Sequence, residues 1–255
     1  MKFYLYDGTF EGMLTAFSKA FDVSEEIIIK SSNNFIPELF AETETVETNK
    51  QLAESLFKKI YTILDTRSFK DCMYAFVSEA DNAENIIFAY IKLYFNHHKS
   101  IRNFLANPVV KSLNELSLRV VKEIHRMKGM MRFVKTNDSF FYAQFEPDHN
   151  IIYFLVNHFI NRMADQKFII HDVARNLAVY YDTFFWESVI INELGIKCCC
   201  CEEEDSEKLA VDEKKYQKLW QAYFKSIAIP QRKNSRLQRQ FMPRRYWKYL
   251  IETFN

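Results

Sequence analysis

A run of basic residues interleaved with aromatic ones near the C-terminal end of the chain could bind phosphate groups. Residues 229–250 read IPQRKNSRLQRQFMPRRYWKYL, and no acidic residue interrupts the run. Such a segment binds nucleic-acid phosphates, with bases stacked on its exposed rings, or contacts an acidic protein partner. We expect exposed Tyr246 or Tyr249 to do the stacking. The seven cations expected to contact phosphate are Arg232, Lys233, Arg236, Arg239, Arg244, Arg245 and Lys248.

A second basic stretch, RVVKEIHRMKGMMR, covers residues 119–132. Apolar residues recur here at helical spacing, and the basic ones fall on another face of the same helix. If the fold brings the two stretches together, both could bind one anionic ligand; alternatively, this is an ordinary amphipathic helix with its polar face in water. The predicted nucleic-acid contacts in this stretch are Arg119, Lys122, Arg126, Lys128 and Arg132.

Two carboxylate–histidine pairs are candidates for acid–base chemistry or metal binding. They are Asp148-His149, which follows Glu146-Pro147, and His171-Asp172. Their spacing matches no known ligand pattern, and Asp148 could equally be a helix N-cap. We therefore assign no catalytic residue, expect no metal and no cofactor, and keep these four side chains as weak candidates.

Other chemistry-bearing motifs are absent from the sequence or unusual in it. The chain has no G-x-G-x-x-G, Walker, G-x-S-x-G or H-E-x-x-H motif. The sequence therefore assigns no enzymatic activity, and a binding role is favoured over catalysis. Of five cysteines, four form the block Cys198–Cys201, which suits neither a disulfide framework nor an ordinary zinc site. An incidental insertion explains the block best, although thiolate reactivity stays open.

The elements that must position these residues indicate an α+β fold that is predominantly helical. Four glycines and five prolines in 255 residues leave little room for tight turns, and a 48% hydrophobic composition can supply a sizeable core. Residues 2–6 read as an N-terminal strand, and residues 49–107 have helical periodicity.

Two helix–hairpin units are predicted between about residues 131 and 191. Thr136–Ser139 and Ala174–Asn176 have the composition of hairpin turns, and each lies between two short β-rich segments. A further strand is expected at 184–191. Together these units would form an antiparallel sheet with helices on one face.

We expect a single domain over residues 1–255, made of four successive parts. They are a helical part over 1–110, an α+β part over 111–191, an acidic cysteine-containing loop over 193–211 and a basic helical segment over 212–255. In the last part, Pro243 would begin a final helix, which an apolar stripe around Trp247 would dock. With no signal peptide and no apolar run of membrane-spanning length, a soluble cytoplasmic protein without membrane contact is expected.

Four blocks of the sequence resemble a known family. They are MKFYLYDGTFEGMLTAF at residues 1–17, EIHRMKGMMRF at 123–133, EPDHNIIYFLVNHFINRMADQKFIIHDVARNLAVYYD at 146–182, and YFKSIAIPQRKNSRLQRQFMPRRYWKYL at 223–250. Together they resemble the uncharacterised bacterial family of "probable DNA metabolism proteins". The resemblance implies a genomic partnership with a radical SAM protein of DNA modification or repair. Some members are fused to a uracil-DNA-glycosylase-like domain, whose activity we do not expect here because the chain ends after the last block.

Three hypotheses about function follow. The first is an accessory protein in DNA repair or modification that binds DNA through a basic face and acts with the radical SAM partner. The second is a protein-interaction module that docks the radical SAM enzyme without touching DNA. The third is an enzyme that uses the histidine and aspartate pairs named above.

Overall fold

The computed structural model describes residues 2–21, 23, 25, 27–37, 41–97, 100–190 and 209–253. These residues form two compact units, Met1–Val121 and Lys122–Asn255. The boundary between the units lies inside one long helix, which runs from the first into the second. The sequence expectation of a single domain stays a prediction, and Cys198–Cys201 with its acidic neighbours lies outside the described residues.

In the first unit, a small parallel sheet combines with helices around an aromatic-rich core. Strand β1 (Lys2–Tyr6) pairs in parallel with both β2 (Ile27–Ser31) and β3 (Glu42–Thr45). The helices are α1 (Phe10–Phe21), α2 (Lys50–Ile63), α3 (Thr66–Val77) and α4 (Ala83–His97). Buried rings and aliphatic side chains fill the space among these elements, including Phe17, Ile87 and Tyr90. The predicted N-terminal strand is thus the centre of a sheet, and β2 and β3 add strand to a part predicted as mainly helical.

Helix α5 (Pro108–Met130) connects the units, and a five-stranded sheet dominates the second. The strands are β4 (Val134–Lys135), β5 (Phe141–Phe145), β6 (Phe168–Asp172), β7 (Leu177–Tyr181) and β8 (Trp186–Ile190), in that spatial order. Helix α6 (Ile152–Arg162) lies between β5 and β6 in the chain. The mixed architecture confirms the predicted α+β class.

Local turn chemistry explains why both predicted hairpins form. Ser139 and Asn176 occupy the left-handed backbone region, with φ of 63° and 51°, in the β4–β5 and β6–β7 turns. Both hairpins are antiparallel, as is the β7–β8 pair. The predicted all-antiparallel sheet is wrong at one junction, because β5 and β6 pair in parallel. A helical crossover such as α6 returns the chain to the same end of the sheet, so the next strand runs in the same direction.

Residues 209–253 form a series of helical segments. They are α7 (Glu213–Ile227), α8 (Ser235–Phe241) and 3₁₀ turns at Pro230–Arg232, Arg244–Tyr249 and Ile251–Thr253. Pro243 is followed by 3₁₀ turns instead of the expected α-helix, although Leu250 and Ile251 are buried as the docking prediction requires. No helix in the described part of the chain has both the length and the apolarity needed to cross a membrane.

Candidate nucleic-acid interface

Glu123 on α5 is a buried carboxylate that holds two distant segments of the second unit. It is 3% exposed, and its two carboxylate oxygens accept the backbone N–H groups of Asp148 and His149 at 2.8 and 3.0 Å. The Tyr246 hydroxyl donates to the same carboxylate at 2.5 Å. A buried carboxylate needs such donors to offset its lost hydration. Glu123 therefore fixes both the 146–149 loop (Glu146–His149) and the basic tail (Arg232–Lys248).

Arg175, in the β6–β7 turn, holds the 146–149 loop from the other side. Its guanidinium donates to the backbone carbonyls of Pro147 and Asp148 at 3.2 and 3.1 Å. The same group pairs with the fully buried Asp172 at 3.0 Å. Burial raises the pKa of Asp172, while the Arg175 guanidinium and nearby backbone N–H groups favour its charged form. The Asp172 carboxylate thus orients Arg175 toward the loop.

The four weak catalytic candidates have structural partners in this arrangement. Asp148 pairs with Arg245 and does not cap α6, which begins at Ile152. The Nδ1 atom of His171 lies 2.6 Å from the Tyr142 hydroxyl, and burial lowers the pKa of this histidine. The structure joins Asp148, His149 and Asp172 through Glu123 and Arg175. Among the described residues, no three His, Cys, Asp or Glu side chains are grouped to hold a metal ion.

Among the described ion pairs, three of the twelve predicted nucleic-acid contacts pair with carboxylates inside the second unit. Arg132 pairs with Glu252 at 2.5 Å, Lys248 pairs with Glu146 at 2.5 Å, and Arg245 pairs with Asp148 and lies 3.8 Å from Glu123. The hydrogen bond from Lys248 holds the pKa of Glu146 below its ordinary value. The tail lacks acidic neighbours in sequence, but folding supplies them from elsewhere. These ion pairs position the tail.

All seven cations of the tail are exposed, and the five other than Arg245 and Lys248 form what we call the exposed tail cations. They are Arg232, Lys233, Arg236, Arg239 and Arg244. In the part of the chain that the structure describes, no carboxylate pairs with any of them. Arg236 and Arg239 are one turn apart on α8, so they face the same side. With no carboxylate partner among the residues that the structure describes, these cations are available to an external anion.

One of the predicted contacts on α5 lies beside the tail. The Arg126 guanidinium donates to the backbone carbonyl of Gln240, at the end of α8, over 3.5 Å. Lys122 is exposed and Lys128 is half-buried on the same helix, whereas Arg119 is exposed within the first unit. The second half of α5 therefore contributes at least Arg126 to the region of the exposed tail cations.

The prediction that an exposed Tyr246 stacks on a base is wrong. Its side chain is 3% exposed and bonds Glu123, because the 3₁₀ turn at Arg244–Tyr249 directs it inward. Burial raises the pKa of Tyr246, so its hydroxyl stays protonated and donates. Tyr249 is half-buried. Of the two rings expected to stack on a base, Tyr246 is therefore not accessible.

Exposed rings instead line a groove of about 790 Å³ in the second unit, which we call the aromatic groove. Helix α7 contributes Tyr216, Trp220 and Tyr223 to it. Its cations are Lys128, Arg132, Lys135 and Arg162. Sequence reasoning found Lys128 and Arg132 but missed Lys135, Arg162 and the three rings. The regular spacing of the α7 aromatics was the available signal.

Trp220 is held in a fixed orientation at the edge of this groove. Its indole Nε1–H donates to Glu252 at 3.0 Å, and the Arg132 guanidinium lies 5.4 Å from its ring centroid. The ring centroids of Trp220 and Tyr223 are 5.8 Å apart. Burial alone would raise the pKa of Glu252, but hydrogen bonds from Arg132 and Trp220 hold it below its ordinary value.

A family model described as a domain of unknown function, DUF4130, matches residues 81–252. The chain belongs to this family. The matched region begins near α4 and contains the whole Glu123 network, the exposed tail cations and the aromatic groove. DUF4130 membership therefore confirms the expectation of an uncharacterised family. No curated protein and no solved structure is significantly similar to the chain.

Proposed function

We propose that this protein is a cytoplasmic accessory protein in DNA repair or modification that binds DNA through its basic tail. The exposed tail cations are the observation that carries the proposal. Five cations that no described carboxylate pairs with leave a concentrated positive charge on one segment, and duplex or single-stranded DNA presents the matching density of phosphates. The role in DNA metabolism and the radical SAM partner come from the family resemblance.

Docking of the tail supports a shaped binding site over a loose basic arm. Tyr246, Arg245 and Lys248 connect the tail to Glu123 and to the 146–149 loop, and Leu250 is 1% exposed. These contacts fix the backbone after Arg244, and the hydrogen bond from Arg126 to the Gln240 carbonyl holds the segment before it. Cations held in place lose less conformational freedom when they bind phosphate, so their contacts contribute more to affinity.

Direct binding tests the proposal. Nuclease-treated protein is titrated into fluorescently labelled single-stranded and duplex DNA at about 50 mM salt, where phosphate contacts are strongest. Binding of either form that weakens steeply as salt is raised supports the proposal. No binding of either form at low salt would contradict it.

A second candidate is a protein-interaction module for the radical SAM enzyme, without direct DNA contact. Leu237 and Phe241 of α8 favour it, because they are 49% and 63% exposed and lie one turn apart among the tail cations. A mixed apolar and basic surface suits an acidic protein partner. Co-purification that survives nuclease treatment, together with no DNA binding, would favour this candidate. An enzymatic role is weaker still, since arginines engage both Asp148 and Asp172.

A further inference from the structure

Resting on the proposed function, we infer that the aromatic groove binds unpaired bases and makes the protein selective for single-stranded DNA. The tail cations contact backbone phosphates and distinguish poorly between single strands and duplexes. The groove differs from the tail because it combines cations with several exposed rings. This combination is typical of surfaces that bind single strands by stacking.

The three rings of the groove are arranged to receive a base. Tyr216, Trp220 and Tyr223 recur at helical spacing and therefore share one face of α7. They are 63%, 38% and 54% exposed, which leaves ring surface available to a ligand. Glu252 holds the Trp220 indole through a hydrogen bond, so this ring needs little ordering when a base binds.

The charge of the groove matches an anionic ligand. Among the described residues, four cations line it against one lining carboxylate, Glu213. One of the four, Arg132, pairs with Glu252, which leaves Lys128, Lys135 and Arg162 for an anionic ligand. That carboxylate is already engaged, because it accepts the Lys135 backbone N–H at 3.0 Å and the Gln217 side-chain amide at 3.1 Å. Lys135 is exposed, and Arg162 is exposed at the end of α6. Phosphates on both sides of a bound base would therefore meet positive charge.

The size of the groove favours an unpaired base over a duplex. A volume of about 790 Å³ lies in the range of small-molecule sites, about 300–1,000 Å³. A base inside a duplex is stacked on its neighbours and cannot present its face to rings in a recess. Unpaired bases can be splayed out and stacked on aromatic side chains. One or two nucleotides of a single strand would fit here.

The test compares wild-type protein with the double variant Tyr216→Leu/Tyr223→Leu, which keeps apolar bulk but removes two rings. Because stacking contributes about 1–3 kcal/mol per base, the affinity for single-stranded DNA should fall at least about five-fold. Duplex affinity should not change. The slope of log K against log salt should also stay the same, since no phosphate contact is lost. A single strand of abasic sites should bind wild-type protein weakly and be insensitive to the double variant.

A matched control replaces exposed tyrosines outside the groove, Tyr61→Leu/Tyr153→Leu, and should bind like wild type. Equal thermal unfolding of both double variants excludes misfolding. An unchanged single-strand affinity in the groove variant, or an equal loss on duplex and abasic DNA, would overturn the inference while leaving the proposed function standing. Displacement by a poly-glutamate peptide as effective as by unlabelled single strand would also overturn it. No DNA binding by wild type would refute both.

Discussion

The Tyr246 hydroxyl donates a 2.5 Å hydrogen bond to the Glu123 carboxylate, which lies 123 residues earlier in the chain. Both side chains are buried. This bond, together with the two backbone N–H groups of the 146–149 loop, joins three segments at one carboxylate. The C-terminal end of the basic tail is consequently part of the packed second unit.

Replacement of Tyr246 by Phe should destabilise the protein by about 2 kcal/mol. The change removes a donor to a charged, buried carboxylate, and hydrogen bonds of this kind contribute about 1.5–3 kcal/mol. Urea unfolding measures the difference. The control is Tyr61→Phe, a hydroxyl on a 65% exposed side chain of the first unit, which should change stability by less than about 0.5 kcal/mol. Equal stabilities of Tyr246→Phe and wild type would mean that the bond does not dock the tail.

The Arg175–Asp172 pair should show strong energetic coupling. Arg175→Ala leaves the buried Asp172 without its counter-charge, so we expect a loss of about 3 kcal/mol in the free energy of unfolding. In an Asp172→Asn background the same replacement should cost at least about 1 kcal/mol less, because no buried charge is left unpaired. A double-mutant cycle in urea measures this coupling. Additive losses would show that Arg175 acts only through its bonds to the loop carbonyls.

Replacement of Arg245 should lower stability, whereas replacement of its neighbour Arg244 should weaken DNA binding. Arg245→Ala removes a guanidinium that contacts Asp148, Glu123 and Tyr246. The free energy of unfolding should fall by about 1 kcal/mol. The loss is modest because Arg245 and Asp148 are both half-exposed. Arg244→Ala should leave stability within about 0.5 kcal/mol and weaken DNA binding. Thermal unfolding and DNA titration of both variants measure the two effects. The reverse pattern would contradict the division between positioning and exposed cations.

Glu252 should make stability depend on pH in the acid range. Its pKa in the folded protein is below the ordinary value of 4.5, and its side chain is 1% exposed. Its contribution is therefore fully present above about pH 4.5 and is lost as pH falls through the folded value. Glu252→Gln should cost about 1–3 kcal/mol at pH 7, and the difference from wild type should shrink below about pH 4.5. Urea unfolding from pH 3 to 7 measures it. A constant difference over this range would contradict the assignment.

Elements of the second unit could be predicted from the sequence because their signals are local. The turn composition of Thr136–Ser139 and Ala174–Asn176 locates both hairpins, and the left-handed Ser139 and Asn176 show why. The parallel pairing of β5 with β6 was missed. Strand direction there depends on where α6 returns the chain, which no local pattern specifies.

The cations of the candidate site could be named from the sequence, but the carboxylates that pair with some of them could not. A charge run shows which residues are basic, whereas the partners Glu252, Glu146 and Asp148 come from distant segments. The burial of Tyr246 has the same origin, because its partner Glu123 is on α5. The aromatic groove was missed because Lys135 and Arg162 join the rings of α7 only after folding.

The salt dependence of DNA binding tests the central claim most directly. The triple variant Arg236→Ala/Arg239→Ala/Arg244→Ala removes three exposed tail cations, and Lys59→Ala/Arg67→Ala/Lys70→Ala removes the same charge from exposed positions on α2 and α3. We predict that the tail variant reduces the slope of log K against log salt by about 0.7–0.9 per lost phosphate contact. The α2–α3 variant should keep the wild-type slope. Equal slopes for all three proteins would contradict DNA binding through the tail.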